Sequence, residues 1–296
     1  MVKKFLFRVL CGFFLGISVF APGFSGSIIA IILGIYHDIV RITANPFKKL
    51  KENIIFCIPL GIGVAISAVF FIFTFRFLFD NYEKATYFLF VGLICGNIPE
   101  IWSEMKKTTF KIQNAFGGAI AFVLVLVMGV LSFSFGGNDT GEITSNLFRF
   151  GLGGFFGGVV LLVPGMSVSA VLFLAGIYED LIYIVNDFMA FDFTYIVSFA
   201  VFAFTALIGV VLASNGIKIL FEKHPGIANT SVFGFIVGSL ISVVATSIML
   251  KADDSTWGIS ILMLTIGLAI SFLFVILGRY LRKDSEEIVE VSASDD

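Results

Sequence analysis

Apolar stretches alternate with short polar breaks along the whole chain. In the first half they cover roughly 5–21, 27–42, 54–79, 87–102 and 114–135, and in the second roughly 147–163, 168–185, 194–221, 231–250 and 257–278. A helix needs about 20 apolar residues to cross the hydrocarbon core of a bilayer. The third and fifth stretches of each half meet this length comfortably, while the first two of each half are only about 16–18 residues long.

That shortfall, together with a Pro-Gly pair between the two short stretches, predicts a re-entrant hairpin that enters and leaves on one side. Non-helical backbone at membrane depth is tolerated only against protein or a water-filled cavity, so the loops mark a site. Two full crossings by short tilted helices are the alternative.

The hairpins are copies of one another. Residues 12–38 read GFFLGISVFAPGFSGSIIAIILGIYHD and residues 154–180 read GFFGGVVLLVPGMSVSAVLFLAGIYED, with 12 of 27 positions identical at a fixed offset of 142. The same offset places Arg76 on Lys218, Asp80 on Glu222, and the Gly92/Gly96 pair on Gly234/Gly238. A duplicated unit is the direct explanation. The predicted organisation is a first membrane repeat over 1–142, a second over 143–283 and a polar tail over 284–296, which is short and polar enough to remain disordered.

With re-entrant hairpins each half crosses three times, and an odd number of crossings inverts the second half. Loop charge agrees. Lys3, Lys4 and Arg8, then Arg41, Lys48, Lys49 and Lys51, and later Lys106, Lys107 and Lys111 mark the inner side, as do Arg279, Arg282 and Lys283 near the C-terminus. Asp139, Glu142, Asp187, Asp192, Asp253 and Asp254 mark the outer side. The predicted fold is an all-α polytopic membrane protein of two inverted repeats, each a re-entrant hairpin plus three transmembrane helices, with both termini cytoplasmic. The same parity would hold if the hairpins crossed fully.

Composition strengthens the membrane reading: 58% of residues are hydrophobic, 37 are phenylalanine and only 14% are charged, against about 25% charged in soluble domains. A net charge of −2 offers no basic field for nucleic acid. Cys11, Cys57 and Cys95 lie in apolar runs, and His37 and His224 are isolated, so neither a metal nor a disulfide is expected, nor any cofactor. The basic, apolar N-terminus resembles a secretory signal, but its pattern recurs in mid-chain at 154–180 and is treated as mature structure.

The chemistry lies in the loops. A helix broken at mid-depth presents free N–H groups and the positive end of its dipole. In Pro22-Gly23-Phe24-Ser25-Gly26-Ser27, Ser25 is placed to cap the following helix, Ser27 adds a hydroxyl in its first turn, and Gly23 and Gly26 permit close backbone approach. Pro164-Gly165-Met166-Ser167-Val168-Ser169 repeats the arrangement with Gly165, Ser167 and Ser169, Val168 replacing Gly26. Together the loops predict a two-sided anion site near the midplane; the plainer alternative is that Pro-Gly turns the chain and serine caps it. Arg149, entering the second hairpin from the otherwise acidic outer half, is the best placed basic partner. Arg8 serves as a positive-inside signal, and Arg76 and Lys218, beside Asp80 and Glu222, equally suit snorkelling to the headgroups. Asp38 and Asp180 end the GIYxD stretches, where a helix C-terminus would disfavour them; each can carry a proton in a coupled cycle or cap a turn. Gly92-x3-Gly96 and Gly234-x3-Gly238 suit helix packing.

At the paired PGxSGS/PGxSxS loops followed by GIYxD the chain resembles the polyprenyl-phosphate (undecaprenyl-phosphate) translocase family, over nearly its whole length short of the tail. The resemblance implies a plasma-membrane lipid carrier that returns undecaprenyl phosphate from the outer to the inner leaflet for envelope synthesis, with a polyprenyl phosphate as partner and proton or sodium coupling as an option. The residues by themselves call only for an anion. A channel or exchanger for a small anion is the main alternative. A lipid-phosphate phosphatase would need a nucleophile–base pair or metal cluster that the sequence lacks.

Overall fold

The computed structural model describes residues 2–20, 29–30, 32–44, 48–106, 112–135, 146–163, 166–249 and 257–294. Every element among them is helical: α1 (Val2–Phe20), α2 (Tyr36–Ala44), α3 (Leu50–Lys106), α4 (Ile112–Phe135), α5 (Leu147–Leu161), α6 (Val168–Leu174), α7 (Tyr178–Met189), α8 (Ile196–Lys223), α9 (Pro225–Met249) and α10 (Trp257–Ser294). Among these, four helical stretches are long and apolar enough to cross a membrane: Leu50–Ser103, Ile196–Lys223, Pro225–Met249 and Trp257–Leu277, with α6 and α7 a fifth if they form one bent span. Their outward faces are apolar at helical spacing, as at Ile58, Ile62, Ile66, Phe70, Phe73 and Phe77 on α3, or Phe204, Leu207 and Val211 on α8. Exposed rows of this kind need lipid as their solvent. The chain is a multi-pass membrane protein.

The expected loop at 80–86 is replaced by a single non-helical residue, Tyr82 (φ −142°, ψ 44°), inside α3. Phe75 and Phe90 nevertheless bring their ring centroids within 5.3 Å. Fifteen residues of straight helix would separate them by about 22 Å, so α3 folds back into two limbs. The second half repeats the device: α8 and α9 are parted by His224 alone (φ −133°, ψ 54°), 142 positions after Tyr82, and Pro225 opens the next helix where its missing N–H costs nothing.

The second helix of each hairpin, expected to run unbroken to 42 or 185, is interrupted. Gly34 (φ 69°) and Gly176 (φ 63°) adopt left-handed backbone, which glycine alone enters without steric cost. After them Tyr36 and Tyr178 begin α2 and α7, and the α6–α7 pair bends by 107°. The tail also differs from expectation, because α10 continues as helix to Ser294. Arg, Lys and Glu favour helix, and extending an existing helix avoids the cost of nucleation.

Glycines set the packing. A Cβ at Gly12 would overlap the Leu60 carbonyl and one at Gly154 the Phe202 carbonyl, so α1 lies hard against the first limb of α3 as α5 does against α8. The remaining long helices pair across the halves. The second limb of α3 packs on α10 through Gly92 and Gly267, while α9 packs on α4 through Gly234 and Gly118. Thr230 Oγ1 of α9 donates to the Asn114 carbonyl of α4 at 2.6 Å. One core results, in which Val91, Ile94, Val125, Val160, Val171, Leu174, Phe235 and Val243 meet from both halves. Lys84, buried beside the α3 break, places its ammonium 3.6 Å from the Trp257 ring centroid at the start of α10, where a cation–π contact replaces part of its hydration.

Candidate functional site

Of the residues expected to hold an anion, Gly23, Ser25, Gly26, Ser27 and Gly165 lie outside the described residues. Ser167 occupies the N-cap position of α6 with extended backbone (φ −110°, ψ 128°), but its hydroxyl makes no capping hydrogen bond. It meets the Ser169 hydroxyl instead, at 2.6 Å. Ser169 is fully buried in the first turn. The cap expected of Ser167 is therefore replaced by a hydroxyl pair.

Ser167 opens onto a cavity of about 20 Å³ between α6, the second limb of α3 and α9, enough for about one water. Ile94, Ile101, Ala170, Phe235 and Ile236 form its apolar wall, and Asn97 and Ser239 complete its polar lining. Ser239 Oγ donates to the Ile236 carbonyl at 2.9 Å, and Asn97 Nδ2 reaches the Leu93 carbonyl at a long 3.4 Å. Sequence reasoning passed over both residues. A signal was available: each directly follows the second glycine of its Gly-x3-Gly pair, and the two are 142 positions apart.

Arg149 lies in the first turn of α5, started by Asn146, whose Oδ1 accepts from the Phe148 N–H at 3.1 Å. Its guanidinium Nε donates to the Ala175 carbonyl at 3.3 Å, and a terminal N–H donates to the Gly176 carbonyl. These carbonyls close α6 at the left-handed break, where a cation satisfies orphan acceptors. Arg149 thus braces the bend between α6 and α7.

Asp38 and Asp180 are not at helix C-termini. The breaks at Gly34 and Gly176 end the preceding turn early, and both carboxylates fall in the first turn of the next helix, where the dipole favours them. Asp38 is paired with Arg41 at 2.8 Å. Next to Asp180, the part-buried Glu179 accepts a 2.6 Å hydrogen bond from the Tyr87 hydroxyl of α3. Its counterpart at the 142 offset is His37, and this mismatch hid Glu179 from a search for repeated motifs.

Arg76 and Lys218, alike in sequence, differ in setting. Arg76 lies 3.8 Å from both Asp80 and Asp187 and over the Tyr183 ring, while the Tyr183 hydroxyl donates to Asp80 at 2.6 Å. Lys218 has Glu222 at 3.9 Å, with both side chains well exposed. In the turn between α7 and α8, Thr194 donates to Asp192 through its hydroxyl (2.6 Å) and its N–H (3.0 Å), holding that carboxyl below the ordinary aspartate range. No group of three or more metal-ligating side chains occurs among the described residues.

The model of the VCA0040-like family, described as undecaprenyl phosphate translocase-like, matches residues 15–261. The chain belongs to that family. The match runs from the end of α1 through both limbs of α3 and the cavity to the start of α10. A curated relative, the polyprenyl-phosphate transporter of Staphylococcus aureus (strain NCTC 8325 / PS 47), is 27% identical over 278 residues, covering 92% of this chain and 95% of its own length. No solved structure matches.

Proposed function

We propose that this protein transports polyprenyl phosphate, returning undecaprenyl phosphate from the outer to the inner leaflet of the plasma membrane for reuse in envelope synthesis. Family membership supplies the substrate class. The observation in the fold that carries the reading is the Ser167 hydroxyl, freed from capping, joined to the buried Ser169 hydroxyl and lining a cavity among apolar helices. Neutral donors suit a carried anion: they replace part of its hydration, yet hold it less tightly than a desolvated cation would.

In this reading each half is a re-entrant hairpin plus three crossings, and the second half is inverted. The lengths support re-entry, since α5 has 15 residues and α6 seven, about 22 and 10 Å against a hydrocarbon core of about 30 Å. Loop charge supports cytoplasmic termini. Gly23, Ser25, Gly26 and Ser27 contribute the equivalent half-site to Gly165, Ser167 and Ser169, with Arg149 holding the second loop's helix in place. The cavity is smaller than a phosphate, so binding parts α6 from α3 and α9. The polyprenyl tail remains in lipid between the helices, and one repeat rocks against the other to alternate access. Asp38 and Asp180 are the carboxylates assigned to proton or sodium coupling in this reading.

Competition binding tests the substrate class. Chain in lipid nanodiscs is titrated with undecaprenyl phosphate in the presence of chloride, inorganic phosphate or a short organic acid. Retention of lipid binding at a large excess of each small anion is expected. Displacement of the lipid by a small anion, with saturable binding of that anion alone, supports the exchanger instead.

A further inference from the structure

The two halves place equivalent positions at one cavity. Asn97 follows Gly96 on α3, and Ser239 follows Gly238 on α9, and both line the space onto which Ser167 opens. Two residues related by an internal repeat share one cavity only where the halves meet at matching points. The sequence counterpart of Ser167 is Ser25, so three members of a repeat-related set of four converge there.

Their surroundings make this placement informative. The other lining side chains are apolar, and a polar group against such a wall costs free energy unless it is hydrogen-bonded. Ser239 is fully buried and its hydroxyl proton is directed to its own helix, which leaves its oxygen lone pairs. A primary amide has two N–H donors and a carbonyl acceptor, and Asn97 makes a long 3.4 Å bond to the Leu93 carbonyl. Nearby glycines hold both residues on rigid supports. Gly96 lies against Ser271 of α10 too closely for an added Cβ, and Gly238 lies against Val125 of α4, where an added Cβ would make a tight contact at 3.0 Å.

We propose that Asn97 and Ser239 are headgroup ligands for the transported phosphate, one supplied by each half, acting with Ser167. The inference rests on the transport reading above and adds two ligands to it. The Asn97 amide donates to a phosphoryl oxygen, and its carbonyl accepts from the P–OH of a singly ionised phosphate monoester. Ser239 turns its hydroxyl from the Ile236 carbonyl to the headgroup. With no fixed cation among the three, no full ionic pair holds the headgroup once the site opens.

The test is equilibrium binding of undecaprenyl phosphate to the full chain in nanodiscs, with folding checked by elution profile and thermal unfolding. Asn97→Ala and Ser239→Ala are each expected to weaken binding by about tenfold or more, the usual loss for a hydrogen bond to a charged group. The isosteric Asn97→Asp keeps the packing and places a carboxylate against the phosphate; it is expected to weaken binding further. The exchange Asn97→Ser with Ser239→Asn keeps both chemistries at the cavity and is expected to bind better than the double alanine variant. Leu207→Ala, on the exposed face of α8, is expected to bind as the unsubstituted chain does. Folded Asn97→Ala, Ser239→Ala and Asn97→Asp variants with unchanged affinity would overturn the inference while leaving lipid transport intact. Absence of binding by the unsubstituted chain would sink the transport reading and this inference together.

Discussion

The Tyr183 hydroxyl donates to Asp80 over 2.6 Å, joining α7 to the first limb of α3 across 103 positions of sequence. Arg76 completes the contact between Asp80 and Asp187. The second half has the same charge pair, Lys218–Glu222, but Arg41 stands at the position equivalent to Tyr183 and is paired with Asp38. One end of the repeated frame is therefore clamped to the hairpin in a way its copy is not.

Tyr183→Phe removes that bond and leaves the ring over Arg76. It is expected to lower stability by about 1 kcal/mol, since a hydrogen bond to a charged group contributes more than a neutral one and partial exposure reduces it. Hydrogen exchange of α7 amides should quicken. Unchanged exchange in α7 would mean that the clamp contributes nothing to holding the two elements together.

The breaks at Gly34 and Gly176 make a second prediction. An added Cβ at Gly34 would meet nothing within 4 Å, so any cost of Gly34→Ala comes from its φ of 69° alone. That cost is about 1 kcal/mol, with Gly34→Asn milder because asparagine tolerates left-handed backbone. Thermal unfolding in detergent distinguishes the two. A ranking in which alanine equals glycine contradicts a left-handed bend at this site.

Helix packing supplies a third. Gly154→Ala would drive a methyl into the Phe202 carbonyl and the Thr205 hydroxyl, while Gly61→Ala meets open space. The first is expected to cost several kcal/mol as overpacking that backbone must absorb. The second should be neutral or stabilising by up to about 1 kcal/mol through helix propensity. Similar unfolding temperatures for the two variants would contradict the α5–α8 approach described above.

Much of this was legible before any coordinates. The all-helical membrane fold, the shortness of α5 and α6 and the matching breaks at Tyr82 and His224, 142 positions apart, follow from apolar run lengths and the repeat. What escaped was set by single backbone angles. Gly176 is flanked by apolar residues on both sides, and the hydropathy of 168–185, interrupted by charge only at Glu179 and Asp180, does not distinguish one helix from two bent by 107°. Asp180 was consequently assigned to the wrong end of a helix. Likewise 80–86 carries Asp80, Asn81, Glu83 and Lys84 and looks like a loop, but the chain reverses there at Tyr82 alone because Phe75, Phe79 and Phe90 pack across the bend. Asn97 and Ser239 were missed for another reason: single polar residues after a packing motif carry little signal until two halves bring them to one cavity.

A fourth prediction separates bracing from binding. Arg149→Lys keeps the charge but loses the planar fork that reaches the Ala175 and Gly176 carbonyls together. It is expected to destabilise the chain and speed hydrogen exchange in α6 and α7, even without lipid. Weaker lipid binding with no change in unfolding temperature or exchange would make Arg149 a headgroup ligand instead.

Leaflet exchange in proteoliposomes measures lipid transport by this protein. Labelled undecaprenyl phosphate is placed in one leaflet, and its appearance in the other is followed with and without the full chain. Exchange well above that of protein-free vesicles is expected, reduced at least about tenfold by Ser167→Ala with Ser169→Ala through the loss of hydrogen bonds to a charged headgroup. Exchange no faster than in protein-free vesicles, or exchange untouched by the double serine variant, would contradict transport at this site.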